Sequence, residues 1–221
     1  MPSAVSPCHH PADPAARGRG AGRLATGPGE ALRSGAVTSH PDTSPDSIAR
    51  TPPAESDDDP FAVELAANAA YAEQFALADL EPVAGRGLAV VTCMDSRIEP
   101  LQMLGLRPGD AKIMRNAGAR VTEDVLRTLV LAVHLLRVTR VLVVPHTRCR
   151  MSAQDEAQIH AAIQQASGID TRSIELRPSP DVRGTLNLDV QRVRSSPYLP
   201  RELVVGGAVY DVDTGLLDRV L

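Results

Sequence analysis

Three side chains of metal-binding type stand at informative places in this 221-residue chain. Cys93 ends the apolar run of "GLAVVTCMDSR", and His146 and Cys149, three positions apart, end that of "RVLVVPHTRCRM". Two thiolates and an imidazole form a set suited to zinc. Three protein ligands leave a fourth tetrahedral position open for water or substrate, which is the catalytic rather than the structural arrangement. Asp95 and Arg97 follow Cys93 at two-residue intervals; on an extended segment, alternation turns all three to one side. A guanidinium beside the carboxylate would keep it ionised and oriented, ready to accept a hydrogen bond from a metal-activated hydroxyl. A plain salt bridge at a strand end is the alternative reading. His134 and His160 fall inside helical stretches and read as surface or core histidines.

The three ligands meet only if the elements that carry them are neighbours. Residues 87–97 and 140–146 read as strands, as do 111–118, closed by a glycine turn, and "RSIELRP" at 172–178. Thr122, with Glu123 and Asp124 behind it, is a good start for a helix through 138. Residues 152–167 and 181–196 also look helical, and 202–217 reads as a strand, a turn at 213–215 and a short return. Phe61, Leu65 and Ala69, then Phe75, Leu77 and Leu80, fall near one broad face, which predicts a helix from 61. Apolar strands alternating with amphipathic helices predict an α/β fold, a mainly parallel central sheet flanked by helices on both faces. Such sheets put their chemistry at the carboxyl ends of the strands, where "CMDSR" and "HTRC" lie.

Residues 1–57 differ from the rest. They are rich in Pro, Ala, Gly, Ser and Arg and poor in large apolar residues, a composition that buries too little surface to offset chain entropy and predicts a disordered tail. An organelle transit peptide and a start placed too far upstream are the alternatives for it. Cys8, His9 and His10 sit in this tail with no second ligand cluster nearby and read as coincidence; "RGRGAGR" reads as a solvated linker. The acidic run Asp57–Asp59 marks the boundary of a globular domain over 58–221. A net charge of -4 and 2% aromatic residues argue against nucleic-acid or anionic-membrane partners. Three widely spaced cysteines suit a reducing cytoplasm, and no apolar stretch reaches the length of a membrane span.

The pairing of C-x-D-x-R at 93–97 with H-x-x-C at 146–149 resembles the signature of the beta-class carbonic anhydrases. The likeness extends through "MLGLRPGDAKIMRNAGARVTEDVLRTLVLAVHLL" and the closing "GGAVYDVDTGLL", covering 61–221, and is greatest with compact bacterial, actinobacterial-like members. It implies reversible hydration of carbon dioxide to bicarbonate, one zinc ion per subunit on Cys93, His146 and Cys149, and Asp95 and Arg97 as a catalytic dyad. Asp95 has a second job open to it, as a fourth zinc ligand in a closed state. Asn116 and Gly118 would border the substrate pocket, or else form a glycine turn with a side-chain cap. The family assembles as homodimers or higher multiples of dimers, with the helix at 61–78 as an arm on the partner subunit. One departure stands beside the metal: Arg150 occupies a position where the family usually has glycine. The arginine could point away harmlessly, impair catalysis by pairing with Asp95 or blocking the pocket, or change substrate preference. Relatives that hydrolyse carbon disulfide or carbonyl sulfide are the rival enzymes, and an impaired or non-catalytic zinc protein is the rival without turnover.

Overall fold

The structure is a computed structural model that describes residues 59–221; the expectations for residues 1–57, Cys8, His9 and His10 included, lie outside the described residues. Strand β1 (Leu88–Cys93) is buried along its whole length, as a central strand covered on both sides must be. It is flanked in parallel by β2 (Ala111–Asn116) and β3 (Arg140–Val144), and β3 pairs in parallel with β4 (Val204–Tyr210). The short β5 (Leu217–Arg219) returns antiparallel on β4, giving the order β2-β1-β3-β4-β5. The chain runs outward from β1 to β2 and then crosses to β3. The β1/β3 boundary is therefore a topological switch point, the place where open α/β sheets bind ligands.

Side-chain alternation divides the core. Ala89, Val91, Val141 and Val143 meet the buried stripes of α3 (Glu123–Leu135) and α5 (Val182–Arg194), where Leu129, Leu186 and Val190 are fully enclosed. Leu88, Val90 and Val144 face the other way, toward Met103, Leu104 and Leu106 around the four-residue helix α2 (Pro100–Met103). Helical cover is thus unequal. On the second face a groove lined by Leu88, Leu104, Leu106, Leu142, Ala208 and Leu217 stays open, where patterning alone suggests a closed layer.

The helix starts follow their caps. The Thr122 hydroxyl accepts from Val125 N, and Glu123 and Asp124 occupy the first turn of α3, as expected. Helix α4 (Glu156–Ser167) opens on a reciprocal Asp155–Gln158 capping box, which sets its start four residues later than expected from 152, and it closes on the left-handed Gly168. Helix α1 (Ala62–Ala72) ends before Phe75, Leu77 and Leu80 and contributes no buried residue.

The strand expected over 172–178 does not form. Arg177 takes a left-handed φ of 54°, and the Glu156 carboxylate accepts from the backbone N–H groups of Leu176 and Arg177. Those donors are then no longer available to a neighbouring strand, and Pro178 has none to offer. Among the described residues no helix is long and apolar enough to cross a membrane.

Candidate metal centre

The register of β1 and β3 brings the three proposed ligands together. Thr92 pairs with Val144, so Cys93 and the residues after Val144 leave the sheet side by side. The last rung is built by β4: Tyr210 N donates to Pro145 O at 2.9 Å and Thr147 N to Tyr210 O at 2.9 Å, holding His146 between them. Pro145, lacking an N–H, sits where only its carbonyl is needed. The two sulfurs and an imidazole nitrogen of Cys93, Cys149 and His146 lie within 4.8 Å of one another, all three residues buried.

Donor chemistry fits a metal. His146 Nδ1 lies 2.8 Å from Thr147 O; a carbonyl only accepts, so Nδ1 carries the proton and Nε2 presents its lone pair. That Nε2 is buried and has no hydrogen-bond partner, a costly state unless something satisfies it. The sulfurs stand 3.9 Å apart, and two thiolates tetrahedrally bound at zinc–sulfur distances of about 2.3 Å would be about 3.8 Å apart. The two sulfurs lie within hydrogen-bonding reach of each other, and either could donate. The Cys149 thiol donating to Cys93 lowers the Cys93 pKa against the opposing effect of burial. The same contact, with burial adding to it, pushes Cys149 up. A dication would displace the thiol proton and make both sulfurs anionic.

Asp95 and Arg97 form a bidentate pair, Arg97 Nε to Oδ1 and Nη2 to Oδ2 each at 2.8 Å. Arg97 N also donates to Oδ1 at 3.0 Å. The Arg97 guanidinium holds the Asp95 carboxyl well below the usual carboxylate range. The juxtaposition does not arise from strand alternation, because β1 ends at Cys93 and Ile98 N closes a turn on Asp95 O at 3.1 Å. Asp95 Oδ2 is 3.7 Å from His146 Nε2, but Asp95 does not join the three-donor group, both its oxygens being engaged by Arg97. Arg97 Nη2 also reaches Arg148 O at 3.2 Å, tying the aspartate's turn to the His146–Cys149 loop.

Gly118 and Asn116 separate into two roles. Gly118 N donates to Cys93 Sγ at 3.4 Å. Its φ of 78° favours glycine, and a Cβ there would stand a tight 3.3 Å from Met151 Cβ. The Asn116 side chain is spent on the backbone of Arg120, Nδ2 to O at 2.7 Å and Oδ1 from N at 2.8 Å, so it caps the turn. Arg150 opens a 3₁₀ turn directly after Cys149 and is exposed; its carbonyl accepts from Ala153 N at 3.4 Å, and its side chain makes no hydrogen bond or ion pair among the described residues. The left-handed residue of this loop is Arg148, φ 52°, whose side chain pairs with Asp213. His134 and His160 lie elsewhere, bonded to Tyr198 O at 2.9 Å and Thr171 Oγ1 at 2.8 Å.

Two contributors escaped sequence reasoning. Arg115 donates from Nε to Cys93 O at 2.9 Å and from Nη2 to Asp95 O at 2.7 Å, fixing the backbone that carries Cys93 and the aspartate. Nothing in its local sequence signals this. Asp189 pairs with Arg120, and here a signal existed: it interrupts the buried stripe Leu186, Val190, Val193 of α5, where a carboxylate needs a partner.

A family model described as carbonic anhydrase matches residues 88–217. A beta-carbonic anhydrase from Mycobacterium tuberculosis is 36% identical over 159 residues, covering 71% of this chain and 94% of that protein. A carbon disulfide hydrolase from Acidithiobacillus thiooxidans is 30% identical over 153 residues, covering 60% of this chain and 76% of that protein. The crystal structure of a carbonic anhydrase from Streptococcus mutans superposes with a TM-score of 0.70 at 34% identity, covering 74% of this chain and 99% of that one.

Proposed function

The chain belongs to the beta-carbonic anhydrase family, and on that premise we propose that it reversibly hydrates carbon dioxide to bicarbonate and a proton. The observation that carries this reading is the convergence of Cys93, His146 and Cys149 on one point, with an unsatisfied His146 Nε2 beside the Asp95–Arg97 pair. These three residues would hold one zinc ion, which when bound supplies the Lewis acidity that activates water at neutral pH. Asp95, kept ionised by Arg97, acts as hydrogen-bond acceptor for the attacking group and orients it. Arg97 adds positive charge beside a centre whose two thiolates otherwise offset that of the dication. Gly118 N–H and the Arg115 contacts keep Cys93 in place. Residues 58–221 constitute the zinc domain, which we read as working in the cytoplasm as a homodimer.

The test is metal analysis with stopped-flow carbon dioxide hydration on wild type, Cys149→Ser and Asp95→Asn. One zinc per subunit with hydration well above buffer is expected of the wild type. Cys149→Ser should lose the metal, and Asp95→Asn should keep zinc but lose most of the rate. A zinc-loaded wild type no faster than buffer would sink the proposal.

A second reading has one observation in its favour, the likeness to carbon disulfide hydrolases. Hydrolysis of carbon disulfide by two waters yields carbon dioxide and two molecules of hydrogen sulfide. Hydrogen sulfide release faster than carbon dioxide hydration in the same preparation would favour it.

A further inference from the structure

Arg120 lies outside the proposed ligand set and dyad, yet its contacts lead to both thiol segments. It is partly buried, side-chain exposure 16%, against the buried Asp189, 6%, at 2.7 Å from Nε to Oδ2. Its Nη1 donates to Arg177 O at 2.8 Å and Pro178 O at 3.3 Å. Its backbone N and O are both taken by the Asn116 side chain, so the turn 116–120 is closed from inside and anchored from outside. That turn holds two consecutive left-handed residues, Gly118 at 78° and Ala119 at 58°. Non-glycine residues reach this region at a cost of about 1–2 kcal/mol, so surrounding contacts must maintain it.

The outcome of this geometry is one N–H. Gly118 N points at Cys93 Sγ, and Met151, two residues after Cys149, packs against the Gly118 backbone. Arg120 reaches Met151 by a second route: it holds the 177–178 carbonyls, and Ser179 N of the same segment donates to Met151 O at 2.7 Å. A buried ion pair is weak evidence for stability, since desolvation consumes much of the attraction. A network that fixes one donor against one sulfur gives such a pair a use.

We propose that Arg120, anchored by Asp189, is a positioning residue that holds the Gly118 N–H on the Cys93 thiolate and seats the Met151 turn beside Cys149. This role rests on Cys93 and Cys149 being zinc ligands. Hydrogen bonds to a ligating sulfur withdraw charge from it and fix its orientation, and outer partners of this kind tune both affinity and electronic structure.

The full chain is loaded with zinc, and separately with cobalt(II), as wild type, Arg120→Gln, Asp189→Asn and Arg192→Gln. The last removes the Arg192–Glu123 pair on the same helix and serves as control. Arg120→Gln and Asp189→Asn should move the Gly118 amide proton upfield in the zinc form. They should also shift the thiolate-to-cobalt charge-transfer band to lower energy and weaken zinc retention against a chelator about 10-fold. Arg192→Gln should move none of these. A pair that merely stabilises the fold would lower the unfolding midpoint while the amide and the band stay at their wild-type positions, and that result overturns the role. Equal shifts in the control overturn it too. If Arg120→Gln does not fold, Asp189→Asn, which keeps the side-chain shape, decides alone. A wild type that takes up no zinc removes the ligand reading and this role with it; zinc uptake with unmoved variants removes this role only.

Discussion

Arg97 engages both oxygens of Asp95, and the sign of the resulting pH dependence follows. The folded-state pKa of Asp95 is lowered, chiefly by that hydrogen bonding. Its contribution to stability is therefore complete above the unfolded carboxylate value of about 3.9 and disappears as pH falls through the lower folded value. Arg97→Gln should show a stability deficit in urea that is constant above about pH 5 and shrinks only in acid; a deficit that grows toward acid would contradict the assignment. Arg150 gives the opposite kind of prediction. It is exposed and makes no contact with Asp95, so Arg150→Gly should change stability by no more than about 0.5 kcal/mol and leave zinc content and hydration rate near wild type. A rate increase of about tenfold, or 1.4 kcal/mol of barrier, would instead mean that the arginine impairs the site. At this scale the sequence was legible in residue type and spacing, down to the Asp95–Arg97 partnership. The route was not: a turn, closed by Ile98 N on Asp95 O, brings the two together, and C-x-D-x-R spacing is compatible with turn and strand alike.

Elements decide whether Cys93 and His146, 53 residues apart, become neighbours, and the decisive one is β1, placed between β2 and β3. Short continuous apolar runs and the Thr122 cap are local signals, so the strands at 88–93 and 140–144 and the start of α3 were readable from sequence. Residues 172–178 were not, because Glu156, twenty residues upstream, takes the backbone donors on which strand pairing depends. Arg120–Asp189 likewise spans 69 residues, and only the packing of α5 on the sheet chooses that partner. The turn between β2 and α3 is where element and site meet. Gly118→Ala would put a Cβ 3.3 Å from that of Met151 at a φ of 78°, which should destabilise by about 1–2 kcal/mol from backbone strain and weaken zinc retention, measured by urea titration with and without metal. A variant as stable as wild type in both titrations would mean that the turn relaxes without consequence. On the helical face, Leu129 is fully buried between α3 and β1, and Leu129→Ala should cost about 2–5 kcal/mol without altering metal stoichiometry.

For the molecule as a whole, the described residues leave two apolar surfaces that do not cover each other. Helix α1 buries nothing, with Val63 76% and Leu65 59% exposed. An isolated helix of eleven residues is marginal in water. The second sheet face keeps its open groove between Leu88, Leu104, Leu142 and Leu217. Exposed apolar surface of that kind marks an interaction site, and a second copy of the chain offers a partner with the same two surfaces, as the self-complementarity of a two-fold dimer requires. If a second copy covers these surfaces, Val63→Ser with Leu65→Glu should shift the protein from dimer to monomer in sedimentation velocity while the sheet and its helices stay folded by circular dichroism. Removing residues 1–57 should leave the dimer intact. If the double variant sediments as the wild type does, α1 is not the arm and the sheet face must carry the contact alone. If the truncation dissociates the dimer, part of the interface lies in the N-terminal segment. Only the first pattern, monomer from the substitutions and dimer from the truncation, ties association to the helix that precedes β1.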